Sequence, residues 1–427
     1  MKKENNWHFD TQCLHSGQDI DPESKSRALP IYQTTSFLFN STQHAADLFN
    51  LKKSGHIYTR LSNPTTQVVE KRLASLEGGT GALLVASGMA AEMIVFTTLA
   101  RQGENIISAS NLYGGTKTLL STSLPRFGIT AKFADVNQPK SFIPLIDENT
   151  RAVYVETISN PSGDIPDFET FAYMAHDYSL PLVVDNTFAS PFLCRPIEWG
   201  ADVVIHSTTK FIGGHGTSIG GTIIDSGNFP WDCGKFPEFT QPSSGYHGLN
   251  FWESFKNEAF IKKCRFEGLR TLGPAPSPFN AFLFLQGLET LHLRVPRHNS
   301  NALEISHFLN NHPKISWVKY AGLSHHPSHR LAEKYFSGGY GSIFTFGVKG
   351  GISAGKKLIE NLRLISHLAN VGDAKTLILH PASTSHSQLT KKEQLEAGIT
   401  PDLIRLSVGL EHFSDLIMDL SQALAGI

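Results

Sequence analysis

The sequence predicts an α/β fold in which a large domain on a mostly parallel sheet is followed by a smaller C-terminal α+β domain. Three observations carry this. Between about residues 80 and 225, short β-branched runs alternate with helical patterns, the rhythm of βαβ units covered on both faces. After about residue 300 a second alternation begins, with apolar runs of its own. Within the first, Asp185 and Lys210 each stand just past a buried-strand pattern, LVV and DVVIHS, at the strand ends where open α/β sheets place their chemistry.

Taken in order, residues 1–60 read as a polar, turn-rich arm with little periodicity, a segment type that often packs on another subunit. The large domain spans 61–280. Its strands are ALLVAS, ENIISAS, ITAKFAD, AVYVETI, LPLVVDN, DVVIHS and GGTIID, with helices at MAAEMIVFTTLA and FETFAYMAHDY. Residues 226–275, rich in Gly, Pro and aromatic residues, form an irregular insertion backed by a helix such as FIKKCRFEGLR. FNAFLFLQGLETLHLR reads as one long, largely buried helix leading into the C-terminal domain, 281–427. That domain contributes helix NALEISHFLNNH, strands ISWVKYA and SIFTFGV, helix AGKKLIENL, strand LISHLANV and a terminal helix DLIMDLSQALAG.

With 40% hydrophobic and 18% charged residues and a formal net charge of -1, the 427-residue chain has the composition of a soluble enzyme. It has no basic excess to attract nucleic acid or an anionic membrane. The start, MKKENNWHFD, lacks the apolar core of a signal peptide, and no run approaches the roughly twenty apolar residues of a membrane span. A cytoplasmic protein is expected. Cys13, Cys194, Cys233 and Cys264 lie far apart, without a zinc-ribbon or disulfide spacing, and read as reduced thiols. The histidines, including His325, His326, His380 and His386, fall in no metal-ligand pattern, so no metal is expected.

Asp185 and Lys210 are the candidates that carry chemistry. A buried carboxylate keeps a pyridinium nitrogen protonated by charge pairing, and a desolvated lysine loses its proton near neutral pH and can bond covalently to an aldehyde. The cofactor that needs both is pyridoxal phosphate. Thr187, Ser207 and Thr209 stand beside them, and the run Gly213, Gly214, Gly216, Gly220 and Gly221 lets backbone approach closely. Ser87, Gly88 and Met89 open a helix after a strand and form a phosphate cradle, or simply the glycine turn that such a junction needs. Tyr58 and Arg60 are a second anion-binding pair, or a packed Tyr and a solvated Arg. Tyr113 follows the strand IISAS and either stacks on the pyridine ring and shuttles protons or is a core tyrosine. Asn160 is placed to donate to the cofactor's phenolic oxygen, and Glu156 to orient other groups. Arg405, a charge on a short apolar run, calls for a carboxylate, which an amino-acid substrate supplies; Ser366 is a further candidate contact.

The motifs YTRLSNPT (58–65), SGM (87–89), LYGGT (112–116), ETISNP (156–161), VDNTFASP (184–191), HSTTKFIGGHG (206–216) and IRLSVGLE (404–411) resemble the Cys/Met-metabolism family of pyridoxal-phosphate enzymes, in order along almost the whole chain. Residues 366–389 and the insertion containing SGYHGLNFW resemble its O-acetylhomoserine sulfhydrylase branch. The resemblance implies a type I aminotransferase-like fold. It implies Lys210 as the cofactor-bearing lysine, Asp185 on the ring nitrogen, Tyr113 stacked on the ring, and Ser87–Met89 with Ser207 and Thr209 on the phosphate. Tyr58 and Arg60 would reach that phosphate from a partner subunit, and Arg405 would hold the substrate carboxylate, with Ser366, Asn160 and Tyr58 as further substrate contacts. The implied reaction is γ-replacement: sulfide or methanethiol displaces acetate from O-acetyl-L-homoserine, giving homocysteine or methionine. The implied assembly is a tetramer of two catalytic dimers. Cystathionine γ-synthase and methionine γ-lyase chemistry are the alternatives on this scaffold, with a non-catalytic cofactor-binding scaffold more distant. Methionine γ-lyases commonly carry cysteine after LYG, where this chain has Gly115, which favours replacement over elimination.

Overall fold

The computed structural model describes residues 7–384, 387, 390–396 and 398–427; residues 1–6 of the chain's start and His386 lie outside the described residues. The seven strands expected in the large domain form one sheet: β1 (Gly81–Val85), β2 (Asn105–Ala109), β3 (Thr130–Ala134), β4 (Thr150–Glu156), β5 (Leu182–Asp185), β6 (Val203–His206) and β7 (Gly221–Asp225). Their order is β1-β7-β6-β5-β4-β2-β3, parallel from β6 through β3, with β7 antiparallel to both of its neighbours. Val183, Val184, Val203, Val204 and Ile205 are fully buried. Helices cover both faces of a parallel sheet, so its central strands carry continuous rather than alternating apolar runs.

Register decides what meets at the sheet's C-terminal edge. Glu156 pairs with Asp185 across β4 and β5, and Asp185 with Ile205 across β5 and β6. The chain leaving β6 therefore delivers Lys210 next to Asp185.

The arm divides in two. Its first turn of structure, helix Phe9–His15, packs on the chain's own large domain, with Cys13 fully buried in the main core. Beyond it the arm is open, with Ile20 at 73% and Leu38 at 99% exposure. Only this second stretch has the exposed character expected of the whole.

The long helix expected near residue 280 is broken at Thr290 into Pro278–Glu289 and Leu291–Asn310. Phe284, Leu285, Leu288 and Val295 pack into the large core, and the second core begins at Ala302, so the boundary between the two cores falls inside the later helix rather than at 281. The insertion is built around packed aromatic rings. Trp231 stacks on Phe239 and Phe260, and all three are buried.

The small sheet has five strands, β8 (Ile315–Lys319), β9 (Ile343–Val348), β10 (Ser366–His367), β11 (Leu377–Leu379) and β12 (Leu403–Ser407), in the order β10-β11-β12-β9-β8. β10 is two residues long, where the apolar pattern LISHLANV predicts a full strand. The chain leaves the ladder after His367, and Ala369, Asn370 and Val371 instead line a cavity between the two sheets.

Among the described residues, no helix is long and apolar enough to cross a membrane, and no group of three or more His, Cys, Asp or Glu is placed to hold a metal ion.

Candidate active site

The cavity, about 320 Å³, opens above the C-terminal ends of β4, β5 and β6. Its lining brings together Ser87, Gly88, Met89, Tyr113, Glu156, Asn160, Asp185, Thr187, Ser207, Thr209, Lys210 and Arg405, residues drawn from across more than three hundred positions of sequence.

One wall is a helix start. Ser87 caps helix Gly88–Leu99 and its side chain accepts from the Ala90 N–H at 3.1 Å, a cap of about 1 kcal/mol. A Cβ on Gly88 would lie 2.8 Å from that of Ser207, so only glycine lets the helix start approach the β6 loop this closely. The result is a cradle of backbone N–H groups at a helix N-terminus, faced by Ser207 and Thr209, suited to a phosphate.

The floor holds Asp185. Its Oδ1 accepts from the Thr187 N–H at 2.8 Å, and Thr187 Oγ1 accepts from the Ser207 N–H at 2.8 Å, which ties the β5 and β6 loops together. Burial pushes the Asp185 carboxyl above the usual carboxylate range, opposed by its hydrogen bonds to Thr187. A cationic ring nitrogen would relieve that penalty by charge pairing. Beneath, Asn186 donates to Glu77 at 2.8 Å and His206 meets the same oxygen at 2.5 Å, a fully buried support for both strand ends.

Lys210 enters from the loop after β6. The Gly214 N–H donates to the Lys210 carbonyl at 2.7 Å with Gly214 at φ +71°, a conformation that favours glycine. Arg294 donates to the Phe211 carbonyl at 2.9 Å and the Gly287 carbonyl at 2.7 Å, clamping the same loop to the next helix. Lys210 Nζ donates to Asn370 Oδ1 at 2.6 Å. Burial, then the charge of Arg405, lowers its amine to about 8, which places a neutral nucleophile within reach at physiological pH.

Arg405 lies on β12, opposite Leu379 and Thr345. Its contacts to Asn160 Oδ1 and the Asn370 carbonyl are both long, 3.4 Å, which leaves its forked donors for a ligand carboxylate. Burial lowers it to about 10, still a cation at neutral pH. Tyr113 is half exposed at the mouth, and its N–H donates to Glu156 Oε1 at 2.7 Å, so Glu156 orients the turn bearing that ring.

Three expected residues lie elsewhere. Ser366 sits in β10, outside the lining; Asn370, four residues on, stands in the cavity instead. Tyr58 and Arg60 line a separate surface recess with Gln33, Thr34, Thr35 and Pro278, where Arg60 stacks over the Tyr58 ring at 5.3 Å and donates to the Arg270 carbonyl. Conversely, Glu92, Asn370 and the apolar lining Ile158, Phe188, Ile219 and Leu379 were not anticipated. Glu92 had a signal, as the lone charge in an apolar helix; Asn370 had none, since only the tertiary fold brings it to Lys210.

A buried carboxylate, an amine titrating near 8 and a helix-start anion cradle around one cavity define a pyridoxal-phosphate site. The chain belongs to the Cys/Met metabolism PLP-dependent enzyme family, whose model matches residues 10–425. It is 52% identical to the homocysteine synthase of Schizosaccharomyces pombe over 98% of both chains. It is also 52% identical to O-acetyl-L-homoserine sulfhydrylase 1 of Thermus thermophilus, over 98% of this chain and all of that one. A Campylobacter jejuni crystal structure assigned as an O-acetylhomoserine (thiol)-lyase, carrying a pyridoxyl-lysine phosphate, superposes with a TM-score of 0.95 at 40% identity, over 98% of this chain and 100% of that one.

Proposed function

We propose that this chain catalyses γ-replacement on O-acetyl-L-homoserine: sulfide, or methanethiol, takes the place of acetate at Cγ, giving L-homocysteine, or methionine, and acetate. The observation that carries this is the convergence of Lys210, Asp185 and Arg405 on one cavity, in a chain half identical to enzymes named for that reaction.

Bound in the cavity, pyridoxal phosphate supplies an electron sink for the substrate's α-carbon. Ser87, Gly88, Met89, Ser207 and Thr209 would hold its phosphate, Asp185 with Thr187 its ring nitrogen, Asn160 its phenolic oxygen, Tyr113 its ring face and Lys210 its aldehyde carbon. Arg405 binds the substrate carboxylate, with Asn160 beside it, which fixes Cα against Lys210. With the substrate in place, Lys210 Nζ would move the proton from Cα and then from Cβ; its lowered pKa supports that base role. Tyr113 Oη would relay a proton from the incoming amino group, giving one up as it takes one. Ile158, Phe188 and Leu379 would limit water at the reacting carbons, so that sulfide rather than hydroxide meets Cγ.

The active site is shared between two chains of a homo-oligomer, a tetramer of two such dimers, in the cytoplasm. The exposed placement of Tyr58 and Arg60, away from their own chain's cavity, and the exposed arm support sharing. The glycine at 115, where methionine γ-lyases commonly carry cysteine, supports replacement over elimination. The test is product analysis with O-acetylhomoserine, with and without sulfide. Homocysteine that forms only with sulfide supports the reading. A 2-oxo acid formed equally without sulfide would indicate a γ-lyase and overturn it.

A further inference from the structure

Glu92 is the one charged residue of helix Gly88–Leu99. It is 2% exposed, and its side chain lines the cavity. Its two oxygens differ. Oε1 accepts from Thr116 Oγ1 at 2.7 Å and from the Tyr154 hydroxyl at 3.0 Å, whereas Oε2 is buried with no hydrogen-bond partner. The titratable groups facing it are Asp185 on β5 and Tyr154 and Glu156 on β4, none of them a cation. An ionised carboxylate so placed would leave an unsolvated charge beside another anion, and a proton on Oε2 removes that charge at the smaller cost of one unpaired hydroxyl.

The contact to Thr116 gives this acid a task. Thr116 lies in the short helix Gly114–Thr118, which starts directly after Tyr113. Glu156 holds the Tyr113 N–H and Glu92 the Thr116 hydroxyl, so two buried glutamates pin the two ends of one turn. Gly115 lies between them, against the Tyr113 ring.

We propose that Glu92 is a positioning residue acting as a neutral acid: with its proton on Oε2 it fixes, through Oε1 and Thr116, the turn that carries Tyr113, and it leaves Asp185 as the charged carboxylate for the cofactor ring. This rests on the roles of Tyr113 and Asp185 proposed above. The same burial, with Asp185, raises the Glu92 carboxyl from an ordinary 4.5 to about 8. The folded state therefore holds a proton that the unfolded chain has released. Stability is highest below the unfolded value and falls as pH rises towards about 8.

The test compares full-length, cofactor-loaded Glu92→Gln, Glu92→Leu and Thr116→Val with the parent. The readouts are the visible circular dichroism of the bound cofactor, steady-state kinetics and urea unfolding between about pH 5 and about pH 8. Glu92→Leu should alter the dichroism and lower kcat about tenfold with little change in KM, Thr116→Val should do the same by about threefold, and Glu92→Gln should recover most of the loss. The stability of the parent relative to Glu92→Gln should decline across that pH range. A Glu92→Gln variant as impaired as Glu92→Leu, an unaltered dichroism in Thr116→Val, or a flat stability difference would each overturn the proposal. If Glu92→Leu does not fold, Thr116→Val and the pH series decide. Dichroism and unfolding require no turnover, so a chain inactive on O-acetylhomoserine sinks the proposed reaction without touching this result.

Discussion

The large-domain wall of the cavity is assembled from strand ends held in register, with Glu156, Asp185 and the Lys210 loop following one another along the sheet edge. The small-domain wall is Arg405 on β12 and the segment Ala369–Val371, which has already left its two-residue strand. The first wall is carboxylate-bearing and fixed by ladder hydrogen bonds and buried supports such as Glu77 with His206. The second presents a guanidinium on long contacts of 3.4 Å and the Asn370 side chain, whose oxygen accepts from Lys210 Nζ at 2.6 Å. The difference teaches a division of labour under the proposed function: the rigid wall would hold the cofactor, and the cationic wall would receive the substrate while its charge lowers the Lys210 amine. Each variant below sets one wall against the other.

The largest effect belongs to Lys210→Ala, on the rigid side. Loss of the one lysine among the described lining residues should reduce kcat by about 10⁴ or more. It should also abolish the borohydride-trappable cofactor adduct, while phosphate-dependent binding persists. A trapped adduct on another lysine would break the division at its root.

Arg405→Gln strikes the opposite wall. Removing a bidentate carboxylate partner should lower kcat/KM by about 10²-fold, mainly through KM, with cofactor affinity little changed. Arg405 also depresses Lys210, whose amine stands at about 8 because of burial and then that charge. Without the guanidinium the amine protonates more readily. The pH at which full-length apoprotein begins to take up pyridoxal phosphate rapidly should therefore move upward. An unshifted profile would mean that burial alone sets the lysine.

A smaller effect asks whether the rigid wall is complete in one chain. Arg60 lies in the exposed recess on the arm, so Arg60→Ala and Lys210→Ala damage different copies if the site is shared. Co-refolding the two inactive variants in equal amounts should restore roughly a quarter of parental activity, since half the dimers are mixed and each mixed dimer has one intact site. No recovery would place Arg60 in its own chain's site.

The rigid wall was the legible one in the sequence. Asp185 and Lys210 follow short β-branched runs bounded by turn residues, which read as buried strands, and SGM sits at a strand-to-helix junction. The other wall was read only in part. Arg405 stood out as a charge on an apolar run, yet LISHLANV matches a strand pattern along its whole length, while its C-terminal half turns away from the ladder and brings Asn370 to Lys210 and Arg405. No local periodicity encodes that. The helix break at Thr290 and the boundary inside Leu291–Asn310 were hidden for the same reason, since an apolar helix pattern does not say which of two cores it enters.

Ser366 gives the smallest expected effect and the sharpest statement about that wall. Its backbone N–H bonds to the Thr376 carbonyl and its strand pairs with β11, so it anchors the segment's start through main-chain contacts that any residue makes. Ser366→Ala should keep kcat/KM within about twofold of the parent, and Asn370→Ala, which removes the acceptor of Lys210 Nζ, should cost about tenfold. Steady-state kinetics on the pair measures how far the substrate wall extends. A Ser366→Ala loss equal to that of Asn370→Ala would mean that the hydroxyl reaches the substrate after closure of the small domain, and the wall would then begin at β10.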